Sequence, residues 1–124
     1  MKETHETPGS EQLHLLVVEA LEERKALDIV TLDVSRMTTI TDHMIIASGT
    51  SDRHVKSVAD NVVQALRKKG VRASGIEGAE RGEWVLVDFG DVIVHVMLPR
   101  VREFYNLEKL WDIEGDVSVA MPDN

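Results

Sequence analysis

The stretch Trp84 to Met97, Trp-Val-Leu-Val-Asp-Phe-Gly-Asp-Val-Ile-Val-His-Val-Met, limits the folds open to this chain more than any other segment. Two runs rich in β-branched residues meet at a glycine, which predicts a β-hairpin with a short turn. With Phe89-Gly90 as a two-residue loop, Asp88 faces Asp91, Leu86 faces Ile93 and Trp84 faces His95. Successive side chains on a strand point to opposite faces. Val85, Val87, Val92, Val94 and Val96 therefore share one face, which is core by composition. Trp84, Leu86, Asp88, Asp91, Ile93 and His95 share the other. That mixed face has two open readings: a surface covered by a helix, or a docking face for a partner.

Both tryptophans, the single tyrosine and both phenylalanines lie between positions 84 and 111. Beyond the hairpin, Phe104, Leu107 and Trp111 have the spacing of one helical side, with Tyr105 beside them and Glu103 and Glu108 at the rim. Such a cluster is either core or a binding surface, because aromatic anchors ringed by charge are what binding hot spots look like.

The rest of the chain supplies the frame. Ser10 is placed to cap a helix carrying Leu13, Leu16, Val17, Ala20, Leu21 and Leu27, with His14 expected on its exposed side. Strands are expected over 28–34 and 44–48, and the near-continuous apolar run of the second predicts cover on both faces. A second amphipathic helix follows Ser51-Asp52 and stops at Gly70, a weak strand covers 71–76, and Pro99 and Asn106 can each open a short helix. This order predicts an α/β fold, a mixed sheet flanked by helices. At 124 residues one domain is expected: a disordered lead over 1–9, the domain over 10–112 and a flexible acidic tail over 113–124.

Several kinds of chemistry find no support. The chain has no cysteine, hence no disulfide, thiolate nucleophile or cysteine metal site. No apolar run approaches the roughly 20 residues that span a bilayer. The N-terminus has neither an apolar signal segment nor the character of a transit peptide, so the cytoplasm is the expected location. The net charge is −8, and residues 77–124 carry eleven acids against four bases. Arg67-Lys68-Lys69 with Arg72 form the one basic cluster, and their place at a helix end suits the helix dipole. Direct nucleic-acid binding is thus disfavoured, while an acidic C-terminal half suits a basic protein partner. Gly49-Thr50-Ser51-Asp52 resembles an anion-binding turn but lacks the remaining signature of a phosphate loop. Asp33, Asp42 and Asp52 sit in separate elements and form no Asp-x-Asp pair for magnesium. Histidines 5, 14, 43, 54 and 95 lack zinc-motif spacing, and no Gly-x-Ser-x-Gly elbow is present. No catalytic residue, metal or cofactor is expected, and the residues alone point to a protein-binding domain.

The sequence also resembles the ribosomal silencing factor family, known too as the Iojap or RsfS family. The resemblance is carried by Asp28-Ile29, Leu32-Asp33-Val34, Thr41-Asp42, the Ala47 to Val55 turn, Glu77-Gly78, the hairpin from Trp84 to Val96, and Arg-Glu-Phe-Tyr-Asn-Leu-Glu-Lys-Leu-Trp at 102–111. It covers roughly residues 11–112; His43-Met44 and Met97 stand where the family often has aromatics. The resemblance implies a fold similar to nucleotidyltransferases but without their catalytic residues. It implies binding to the large ribosomal subunit, on the ribosomal protein numbered fourteen in the large-subunit series. Docked there, the factor would block joining of the small subunit and repress translation when nutrients are scarce; the free protein would be a possible homodimer. Trp84, Leu86, Ile93, His95, Phe104, Tyr105 and Trp111 are expected to form or support the docking patch. Asp88, Asp91, Glu103 and Glu108 are expected to meet basic side chains of the partner. Alternatives are a ribosome assembly factor, as for plant and mitochondrial relatives, or a degenerate nucleotidyltransferase that binds a nucleotide at Thr50-Ser51-Asp52.

Overall fold

A computed structural model describes residues 9–111. The expected disordered lead, but for Gly9, and the acidic tail lie outside the described residues. The elements run α1 (Ser10–Glu23), β1 (Leu27–Asp33), β2 (His43–Ser48), α2 (Asp52–Lys68), β3 (Gly75–Glu77), β4 (Trp84–Asp88), β5 (Val92–Met97), α3 (Pro99–Tyr105) and α4 (Leu107–Trp111). The five strands form one mixed sheet in the order β1-β2-β5-β4-β3, with β2 and β5 parallel and the other neighbours antiparallel. The mixed sheet flanked by helices is the architecture the sequence predicts.

Every residue of β2 is buried, because the strand is covered on both faces. On one side Ile45 and Ala47 join the valines of β4 and β5 under α1 and α2. On the other, Met44, Ile46 and Met97 pack with Leu32 and Val34, and Trp84, Val101, Leu107 and Trp111 close over them. The amphipathic face of α2 supplies Val55, Val58, Ala59, Val62 and Leu66 to the first core. The two helices of that layer are also tied by polar bonds. Asn61 Nδ2 donates to the Ala20 carbonyl and to Glu23 Oε1, both at 2.9 Å, satisfying acceptors near the open end of α1.

Three local expectations are corrected. Ser10 is the first residue of α1, whose cap is Gly9 with no side-chain bond. Leu27 belongs to β1, because Lys25 takes a left-handed φ of 60° and turns the chain out of the helix. The weak strand shrinks to Gly75–Glu77; before it, Ser74 reaches the Asp88 carbonyl through both its N–H (2.7 Å) and its hydroxyl (3.0 Å).

The hairpin differs from its expected register by two residues. Trp84 pairs with Met97, Leu86 with His95 and Asp88 with Ile93. The central turn residues are Gly90-Asp91, bracketed by the Phe89 N–H donating to the Val92 carbonyl at 2.9 Å. Gly90 takes φ +89°, a conformation that suits glycine at the first central position. The Asp88 carboxylate caps the turn by accepting the Gly90 N–H at 2.8 Å. A slip of two preserves the faces: Trp84, Leu86, Ile93 and His95 stay together, and Phe89 joins the valine core. Asp91 no longer faces Asp88; it sits exposed at the tip, where its carbonyl accepts the N–H groups of Asp42 and His43.

Phe104 does not share a helix side with Leu107 and Trp111. Asn106 adopts a left-handed conformation (φ 51°, ψ 54°) that ends α3, and its carbonyl accepts from Lys109 and Leu110 as α4 begins. This break brings Arg102 and Glu108 together. Arg102 is only 8% exposed. It donates from Nε to Glu108 at 2.9 Å, from Nη2 to the same carboxylate, and from Nη1 to Ser48 Oγ at 2.9 Å. One guanidinium thus holds both C-terminal helices to the end of β2. Removing one partner of a buried pair leaves a charge without compensation. Arg102→Ala is expected to lower unfolding stability by roughly 3 kcal/mol in urea titration. A loss below about 0.5 kcal/mol, the scale of a surface pair, would contradict this anchoring role.

Candidate functional site: the aromatic face of the hairpin

Because α3 and α4 are short, they cover only part of the second sheet face. Trp84 stands at the boundary. Its indole N–H donates to His95 Nδ1 at 2.9 Å, and its ring lies 4.9 Å from that of Tyr105 at a 48° tilt. Tyr105 meets Phe104 edge-on, also at 4.9 Å, within the range of favourable aromatic pairs. Phe104 is 79% exposed and Tyr105 54%. A groove of about 390 Å³ runs between Glu83, Trp84, Arg100, Val101, Phe104 and Tyr105. Along the uncovered part of the sheet, Leu86 and Ile93 are half-buried.

The remaining predicted residues fall into two groups. Asp91 and Glu103 are exposed, and Glu77, cross-strand from Leu86, is a further exposed carboxylate near the face. Asp88 is engaged in the turn and Glu108 in the Arg102 bond, so neither carboxylate is free. Trp111 is partly buried against the second core rather than displayed. Arg102 was not singled out from the sequence: it is six residues from Glu108, outside the i+3 and i+4 spacings that place helical side chains together.

His95 is the chemically unusual member. Burial pushes its pKa down from 6.5 to about 4. The ring is therefore neutral near pH 7, with its proton on Nε2 and Nδ1 left to accept from Trp84.

The alternative site, Thr50-Ser51-Asp52, borders a cleft of about 490 Å³. Three amides at this turn are already used. The His54 N–H donates to Ser51 Oγ, the Thr50 N–H to His54 Nδ1, and the Arg53 N–H to Asp52 Oδ1. His54 Nε2 in turn donates to the Arg24 carbonyl at 2.8 Å, fixing the tautomer. This is a satisfied helix cap. Asp33 and Asp42 lie at one end of β2 and Asp52 beyond the other, so the three carboxylates do not assemble. One expectation fails: His14 is not an exposed helical residue. It is largely buried, and with His43 and Glu11 it forms a cluster of metal-ligating types.

The fold and this face define a mixed-sheet domain with an exposed aromatic patch and, among the described residues, no assembled carboxylate centre. Comparison with known proteins agrees. The family model described as "Ribosomal silencing factor during starvation" matches residues 7–123. A ribosomal silencing factor of Chromobacterium violaceum is 50% identical over 82% of this chain and 83% of its own. One of Bacillus subtilis is 38% identical over 82% and 83%. A mouse relative, "Mitochondrial assembly of ribosomal large subunit protein 1", is 37% identical over 81% of this chain and 45% of its own. A crystal structure of a Chromobacterium violaceum protein superposes with a TM-score of 0.83 at 49% identity, covering 84% of this chain and 87% of that one. The chain belongs to the ribosomal silencing factor family. The relatives' names denote silencing and assembly factors rather than enzymes. Among the described residues no helix is long and apolar enough to cross a membrane.

The depressed pKa of His95 has a stability consequence. The unfolded chain takes up a proton near pH 6.5, and the native ring only near pH 4. The contribution is complete above about pH 6.5 and is lost as the pH falls to about 4, a change of ~3 kcal/mol. His95→Gln keeps an acceptor for Trp84 and removes this titration. Urea-unfolding stability of the variant should fall less steeply over that window than the parent's. Equal slopes would mean that the ring is not held neutral.

Proposed function

We propose that this protein is a translational repressor that binds the large ribosomal subunit and blocks joining of the small one. The observation that carries the reading is the exposed Phe104-Tyr105 pair, with Tyr105 tilted against Trp84, within a domain of the silencing-factor family. The proposed partner is the ribosomal protein numbered fourteen of the large subunit. No bond is made or broken: the output is excluded volume, and its strength is affinity times occupancy. Phe104, Tyr105 and the rim of Trp84 are the anchors, Leu86 and Ile93 extend the apolar band, and Asp91 and Glu103 meet basic side chains. His95 and Trp111 support the face from within, and Asp88 and Glu108 hold its framework.

The same reading carries several finer points. Residues 10–112 act as one domain. The protein works in the cytoplasm and forms a homodimer when free. Its sheet is related to the nucleotidyltransferase fold. The mouse relative's name supports the large subunit as target and also favours an assembly role as a second reading.

Sedimentation with purified large subunits, with and without small subunits, tests the repressor. The protein should travel with mature large subunits and lower the yield of whole ribosomes. Protein that stays in the supernatant at low salt would refute it; binding to assembly intermediates alone would favour the second reading. Phe104→Ala, at an exposed position, should weaken binding about 30-fold, the ~2 kcal/mol of a hot-spot anchor. Asp91→Lys should slow association and flatten its dependence on salt. Unchanged association would remove Asp91 from the steering surface.

A further inference from the structure

A second cluster lies across the sheet from the aromatic face. His14 of α1 and His43, the first residue of β2, stack with ring centroids 4.4 Å apart and planes 25° apart. Glu11, one helical turn before His14, reaches both: its carboxylate oxygens lie 3.6 Å from His43 Nε2 and 4.0 Å from His14 Nδ1. One donor atom from each residue lies within 4.8 Å of the others.

Three observations mark this as more than packing. The His43 side chain is 7% exposed and that of His14 15%. Each ring keeps a buried Nδ1 with no hydrogen-bond partner among the described residues, a costly arrangement in a folded protein. In His14 that atom is the one facing Glu11, whereas His43 turns Nε2 toward it. By contrast, His54 uses both ring nitrogens, and His95 uses its Nδ1. Asp33 sits cross-strand from His43. Hydrogen bonds from Ser35 hold its carboxyl below the usual range, with a smaller contribution from His43, so a second carboxylate adds negative potential nearby.

Two imidazoles and one carboxylate are the donor set of a cation of borderline softness, with the fourth tetrahedral position left to water. Bonds of about 2.1 Å set ligand atoms roughly 3.4 Å apart. The separation must close by about 1.4 Å, a movement within reach of rotation of the exposed Glu11 and a modest fanning of the stacked rings. We propose that Glu11, His14 and His43 bind a divalent cation, joining the start of α1 to the N-terminal end of β2.

The test titrates tag-free, metal-stripped full-length protein with Zn²⁺ by calorimetry and follows the imidazole nitrogens of the parent protein by NMR. The expected result is one ion per chain, with shifts at His14 and His43. Binding should weaken at least about tenfold in His14→Gln and in Glu11→Gln, and be unchanged in His5→Gln. Reading the shifts on the parent protein makes the answer independent of whether a variant folds. The absence of stoichiometric binding, shifts confined to other histidines, or unaltered affinity in folded His14→Gln would each overturn the site and leave the pair as ring packing only.

Discussion

The parallel pairing of β2 with β5 at the centre of the sheet is the constraint from which the rest of the structure follows. Parallel neighbours cannot be joined by a tight turn. The chain must leave β2 through α2, take the far edge as β3, and return through β4 before β5 can form. Because β2 is buried along its whole length, both faces need cover. The two longer helices cover the centre of one face. The other is left to α3 and α4, of seven and five residues, and they cannot reach across it. The uncovered remainder, with Trp84 at its edge, is the face proposed for docking. The site is thus a consequence of topology rather than an addition to it.

Arg102 makes that arrangement rigid. Two short helices have little stability of their own, but one buried guanidinium joins Glu108 and Ser48 and so fixes both helices against the sheet. Tyr105 and Phe104 emerge three and two residues later, and the Trp84–His95 bond holds the ring on which Tyr105 leans. A face held before binding loses less side-chain entropy on docking. The neutrality of His95 belongs to the same design, since its lone pair must remain free to accept the indole N–H.

The faces of the hairpin, the two long helices, the buried second strand and the breaks at Pro99 and Asn106 were legible because each rests on local periodicity or backbone preference. The hairpin register was not, since the choice between Phe89-Gly90 and Gly90-Asp91 depends on Phe89 finding room in the core. Both choices keep Trp84, Leu86, Ile93 and His95 on one face, and only Asp91 moves into the turn. The division of labour within the patch was also hidden. Exposed Phe104 and half-buried Trp111 look alike in sequence, and Glu103 and Glu108 differ only in that Arg102 reaches one of them. His14 and His43, 29 positions apart, carry no motif; only the packing of α1 on β2 brings them together.

The most direct measurement is a cryo-EM reconstruction of the large ribosomal subunit incubated with this protein. Density for the domain is expected at the surface that meets the small subunit, with the Trp84 side of the hairpin and the C-terminal end of α3 against a ribosomal protein. A domain bound through α1 and α2, leaving Phe104 and Tyr105 in solvent, would contradict it.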